Sequence, residues 1–105
     1  MPIQHVVLSK FKASVDEAGK AKAYEVARGF LKNIPQVKSS VVGPPISSRM
    51  SRGYDYGMMA TFDDEAALGA YIQHPQHVAL MKALGPITEG MVVYQIEAPT
   101  TSAKL

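Results

Sequence analysis

Three histidines, His5, His74 and His77, carry most of the side-chain chemistry this sequence offers near neutral pH. Two of them flank a proline in Tyr71-Ile72-Gln73-His74-Pro75-Gln76-His77. A neutral imidazole at His77 suits a general base that takes a proton from carbon next to a carbonyl. A tyrosine at 71 suits a donor to the carbonyl oxygen as charge develops there. The competing reading packs both beneath the loops, with Tyr71 capping a helix end and His77 bonding a backbone carbonyl. His74 and His77, three apart, would share a helical face, and His5 as a third ligand would suggest zinc. The chain has no cysteine, and no acidic residue stands at motif spacing, so no metal is expected. His74, directly before Pro75, is expected to cap or orient the turn and is counted with the substrate-binding residues.

Composition sets the frame for these groups. The chain has 105 residues, 11 Lys plus Arg, 9 Asp plus Glu and a net charge of +2. That length fits one domain at roughly 100–150 residues each. With 47% hydrophobic residues it can build a core without staples, and without cysteine it has neither disulfide nor thiol nucleophile. The charge is too small, and no basic run is present, to argue for nucleic acid. No apolar run approaches the roughly 18 residues of a membrane span, and the start lacks the order of a signal peptide. The expectation is a small cytoplasmic domain that binds neither nucleic acid nor membrane.

The elements follow from periodicity. Ile3 to Lys12 reads as a strand, with Ile3, His5, Val7, Ser9 and Phe11 on one face and Gln4, Val6, Leu8 and Lys10 on the other. Ser14 and Glu17 fit a capping box, predicting a helix from Val15 to Asn33 with Ala23, Val26, Ala27, Phe30 and Leu31 as its apolar stripe. Ile34-Pro35 ends it. Val37 to Val42 is a second strand, Gly43 to Gly53 a long loop, and Tyr54 to Phe62 a third strand. Asp63-Asp64-Glu65 starts a helix that is interrupted at His74-Pro75, and Pro75 to Leu84 forms another. Gly90 to Glu97 is the fourth strand, and residues 98–105 read as a mobile tail after a domain of residues 1–97. The order β-α-β-β-α-β is that of an α+β, ferredoxin-like split βαβ fold with a four-stranded antiparallel sheet. Its helices cover one sheet face, while the strands are apolar on both. The uncovered face therefore calls for a second copy of the chain or a cavity.

Several segments also carry a family resemblance. Ile3 to Lys12, Ile34-Pro35-Gln36-Val37, Gly43, Arg52-Gly53-Tyr54-Asp55, Phe62 and above all Tyr71 to His77 resemble the stress-responsive dimeric α/β-barrel (Dabb) family over about Pro2 to Glu97. The resemblance implies a homodimeric α+β barrel with a cavity between sheet and helices in each copy. One enzymatic member type is a plant polyketide cyclase. It closes a linear polyketide by intramolecular aldol condensation without metal or organic cofactor. Its essential histidine and tyrosine correspond to His77 and Tyr71, and a cavity histidine to His5. By the same resemblance Val7, Tyr56, Met58, Met91 and Val93 line the cavity. Tyr56 replaces a histidine of that cyclase, Ala23 and Ala27 replace aromatic residues, and its pocket tryptophan falls near Thr88. The catalytic pair is retained and the lining is not.

The expectation is thus a homodimer with an internal cavity for a small hydrophobic or aromatic acid ligand, catalysing a cofactor-free, cyclase-like or lyase-like proton abstraction. A non-enzymatic stress protein acting through assembly, its cavity closed or filled, is the alternative, as is a small cofactor-free monooxygenase. The final Ala103-Lys104-Leu105 resembles a peroxisomal import signal, so a eukaryotic host would allow that destination.

Overall fold

A computed structural model describes residues 1–98; the expected tail beyond Ala98, with Ala103-Lys104-Leu105, lies outside the described residues. The order is β1 (Ile3–Phe11), α1 (Glu17–Lys32), β2 (Ser39–Gly43), β3 (Tyr56–Phe62), α2 (Glu65–Gln73), α3 (Pro75–Leu84), a 3-10 turn (Gly85–Ile87) and β4 (Thr88–Glu97). The strands form one antiparallel sheet in the order β2-β3-β1-β4, the α+β ferredoxin-like arrangement. No helix among the described residues is long and apolar enough to cross a membrane.

The alternation in β1 sets the layers. Ile3, His5, Val7, Ser9 and Phe11 are buried beneath the helices, while the residues between them are partly exposed. Pairing carries the same face into β3 through Tyr56, Met58, Ala60 and Phe62. α1 packs against α3 and β2, and α2 against α3 and β3. Ala27, Leu31, Phe62, Tyr71 and Leu80 fill the space between. The opposite face holds Val41, Met59, Val92, Tyr94 and Ile96, all exposed. An apolar patch of this kind marks an interaction surface.

Several boundaries differ from the expectation, each for a local reason. α1 starts two residues later, because its N-cap is Asp16 rather than Ser14: the Asp16 carboxylate accepts from Gly19 N at 2.8 Å. Glycine suits position 19, where a Cβ would lie 3.0 Å from Val15 and 3.2 Å from the same carboxylate. The apolar stripe also shifts, with Tyr24 entering the core where Val26 was expected. The Tyr24 ring stacks on Tyr56 with centroids 6.2 Å apart, and its hydroxyl donates to the Asp55 carbonyl. The Asp55 carboxylate in turn accepts from Phe11 N at 2.8 Å and pairs with Lys20 at 3.2 Å, holding the loop to α1 and β1. β2 and β3 each start two residues late, at Ser39 and Tyr56, and β4 starts two residues early, at Thr88. Ala98 stays tied to the start of β1 by its N–H to Pro2 O at 2.8 Å.

The two candidate caps separate in solution. Asp16→Ala lowers unfolding free energy in urea by about 1 kcal/mol, whereas Ser14→Ala stays within about 0.5 kcal/mol of the parent.

Candidate active site

The site grows from a break between α2 and α3. Pro75 has no N–H, so Tyr71 O cannot receive the usual helical bond from residue 75 and accepts from His74 N at 3.0 Å instead. His74 is extended, with ψ at 137°, as a residue before proline prefers. Its ring N-caps α3: Nδ1 accepts from Gln76 N at 3.0 Å. That N–H is the one a continuous helix would have given to Ile72 O. The Ile72 carbonyl is thereby left for the His77 ring, whose Nδ1 lies 2.9 Å away. A carbonyl only accepts, so Nδ1 carries the proton and Nε2 of neutral His77 is bare.

Tyr71, in the last turn of α2, is the helix's buried residue. Its ring packs on Phe62 with centroids 4.8 Å apart, on His77 at 4.5 Å and on His5 at 5.6 Å. It is 1% exposed, and its hydroxyl is buried with no hydrogen-bond partner. Burial pushes its pKa up to about 12, so it stays a neutral donor. On β1, His5 is also buried, and its Nδ1 lies 3.0 Å from the amide nitrogen of Gln95 on β4. Burial, and to a lesser degree the nearby His77, lowers the His5 pKa below the ordinary imidazole value of 6.5.

These side chains line one cavity of about 200 Å³ between the sheet and α2–α3. His5, Tyr71 and His77 share its wall with Val7, Tyr56 and Met58 from the sheet centre and Met91 and Val93 from β4. Met91 and Val93 remain about half exposed, at 51% and 47%, so the cavity is least covered along β4. Burial raises the Tyr56 pKa, with Tyr71 and Tyr24 adding to the shift, so this hydroxyl too stays protonated.

His74 is not among the residues that line the cavity; its ring caps α3, as its place directly before Pro75 leads one to expect. Other wall residues went unrecognised in the sequence, among them Ser9, Leu80, Leu84 and Gln95. The strand alternation that selects Met91 and Val93 also selects Gln95, but its pairing with His5 needs the β1–β4 register. Among the described residues no group of three or more His, Cys, Asp or Glu is placed to hold a metal ion. Each of the three histidines engages a different partner through Nδ1.

The buried His5 links stability to pH. Its folded pKa lies below its unfolded value, so the unfolded chain binds more protons as pH falls. The stabilisation is therefore present above pH 6.5 and lost progressively below it. In urea titrations across this range, His5→Gln flattens the acid-side loss relative to the parent. An identical pH profile for both chains would contradict a buried, neutral His5.

Known proteins resemble this chain in sequence and in fold. Olivetolic acid cyclase from Cannabis sativa is 24% identical over 95 residues, covering 90% of this chain and 94% of the relative. The stress-response A/B barrel domain-containing protein HS1 from Arabidopsis thaliana is 29% identical over 97 residues, covering 88% and 86%. Among solved structures, a dimeric ferredoxin-like protein of unknown function from Thermobifida fusca superposes with a TM-score of 0.83 at 23% identity, covering 93% and 92% of the two chains. The sequence profile of the stress responsive A/B barrel domain matches residues 3–98, and the chain belongs to that family.

Proposed function

We propose that this protein is a homodimer whose cavity takes a small apolar-to-amphipathic carbonyl compound and catalyses cofactor-free proton abstraction. The carrying observation is the pairing of an unpartnered, buried Tyr71 hydroxyl with a His77 ring whose Nδ1 is held by Ile72 O. Bare Nε2 of His77 takes a proton from the carbon next to the ligand's carbonyl. The C–H electron pair moves into that carbonyl, and the resulting enolate oxygen accepts from the Tyr71 hydroxyl. In an aldol closure the enolate carbon then bonds to a second carbonyl carbon of the same ligand. The alkoxide so formed regains the proton from His77. The cyclase relative supports this reading over a filled, non-enzymatic barrel, as does a void beside Tyr71.

Homodimerisation is supported by the exposed apolar sheet face and by the dimeric solved neighbours. Burying that face from water is favourable at about 25 cal/mol per Å² of apolar surface. The parent chain sediments as a dimer, and Met59→Asp, in the middle of this face, sediments as a monomer with unchanged helical circular dichroism. A monomeric parent would contradict the assembly.

The chemistry is read by hydrogen–deuterium exchange at the methyl group of acetophenone in deuterium oxide, followed by NMR. The parent accelerates exchange. His77→Ala removes that acceleration by about 100-fold or more, as loss of a general base does, and Tyr71→Phe lowers it by a smaller factor. Exchange that persists in both variants would refute the assignment.

A further inference from the structure

Gln95 stands opposite His5 across the β1–β4 pair, and its amide Nε2 lies 3.0 Å from His5 Nδ1. An amide NH₂ only donates, so Nδ1 must be bare there, and the neutral ring carries its proton on Nε2. His5 is 4% exposed, yet this Nε2 makes no hydrogen bond among the described residues and is not sealed off as the Tyr71 hydroxyl is. His5 borders the cavity, so the free N–H has the void to donate into. His5 and Tyr71 are neighbours, with ring centroids 5.6 Å apart. The cavity wall thus offers two adjacent neutral donors.

Charge and size restrict what they can meet. No Lys, Arg, Asp or Glu lines the cavity. A carboxylate entering it would leave water without a fixed counter-charge, which is costly. The volume of about 200 Å³ compares with an engineered apolar cavity of about 150 Å³ that binds benzene. One substituted ring fills it.

We infer that the site is built for an uncharged oxygen: Gln95 is a positioning residue that fixes His5 as an Nε2–H donor, and His5 and Tyr71 together donate to the carbonyl or phenolic oxygen of a compact, neutral, single-ring ligand. This narrows the expected aromatic acid to its neutral counterpart. It rests on the proposal that the cavity takes a ligand, and it adds which ligands are refused.

The test uses the full chain, labelled with nitrogen-15. Long-range proton–nitrogen correlation NMR reports the His5 tautomer without any ligand. The parent shows Nε2 protonated and Nδ1 bare. Gln95→Met keeps the side-chain length without the donor, and because Gln95 is exposed the fold is retained. In this variant the tautomer bias disappears. Acetophenone and benzoate, matched in size and differing in charge, are then titrated while the His5 and Tyr71 signals are followed. Acetophenone binds more tightly to the parent, and Gln95→Met weakens it about fivefold, the loss expected for one hydrogen bond. Nδ1-protonated His5 in the parent, or benzoate binding at least as tightly as acetophenone, overturns the inference and leaves the cavity reading standing. If neither probe perturbs either residue, the cavity reading falls and takes the inference with it.

Discussion

A proline cannot donate a backbone hydrogen bond, and the site depends on that missing donor at Pro75. Its absence turns Tyr71 O toward His74 N. It also leaves His74 extended, so that its ring caps α3 through Gln76 N. Ile72 O then loses its helical partner and takes the His77 ring. A single helical break thus holds the imidazole in one tautomer. His74 serves this arrangement through the backbone, away from the cavity wall. The handoff satisfies the orphaned groups of the break one after another.

Just before the break, Tyr71 lies in the core. Burying its ring against Phe62, His5 and His77 is favourable by about 1.5–3 kcal/mol. Leaving its hydroxyl without a partner costs about 1–3 kcal/mol. A phenylalanine would keep the ring burial without that cost, so the fold gains nothing from a tyrosine there. A partner supplied by a ligand would recover the cost, which is the physical reason to treat the hydroxyl as functional. The neighbouring void is lined mainly by apolar side chains, where a hydrogen bond is stronger than in water.

Much of this was legible in residue order. Alternation from Ile3 to Phe11 grouped His5 with Val7 and Ser9 on one face, and the family resemblance set that face, with Tyr56, Met58, Met91 and Val93, against the cavity. The His74-Pro75 break was readable because proline restricts the residue before it. What escaped depends on contacts distant in sequence. Tyr24 entered the core because its ring found Tyr56 and its hydroxyl found Asp55, neither of which helical spacing reveals. Ser14 and Asp16 are both good caps, and only the chain's turn at Lys12–Val15 favours the second. Gln95 acquired meaning only through the register that sets it against His5. The place of His74 was readable from the residue after it: directly before proline it was expected to cap the turn, and its ring does so through Gln76 N.

The sheet's two faces divide the work. One holds the cavity under α2 and α3, and the other presents Val41, Met59, Val92, Tyr94 and Ile96 outward. β4 belongs to both, since Met91 and Val93 line the cavity while the residues between them face away. The most direct test of the account is a crystal structure of the protein soaked with acetophenone. The account predicts the ligand's carbonyl oxygen within hydrogen-bond distance of the Tyr71 hydroxyl, with the His77 Nδ1 still on Ile72 O. A Tyr71 hydroxyl bonded to a protein atom, with the cavity closed or the ligand bound elsewhere, would contradict it.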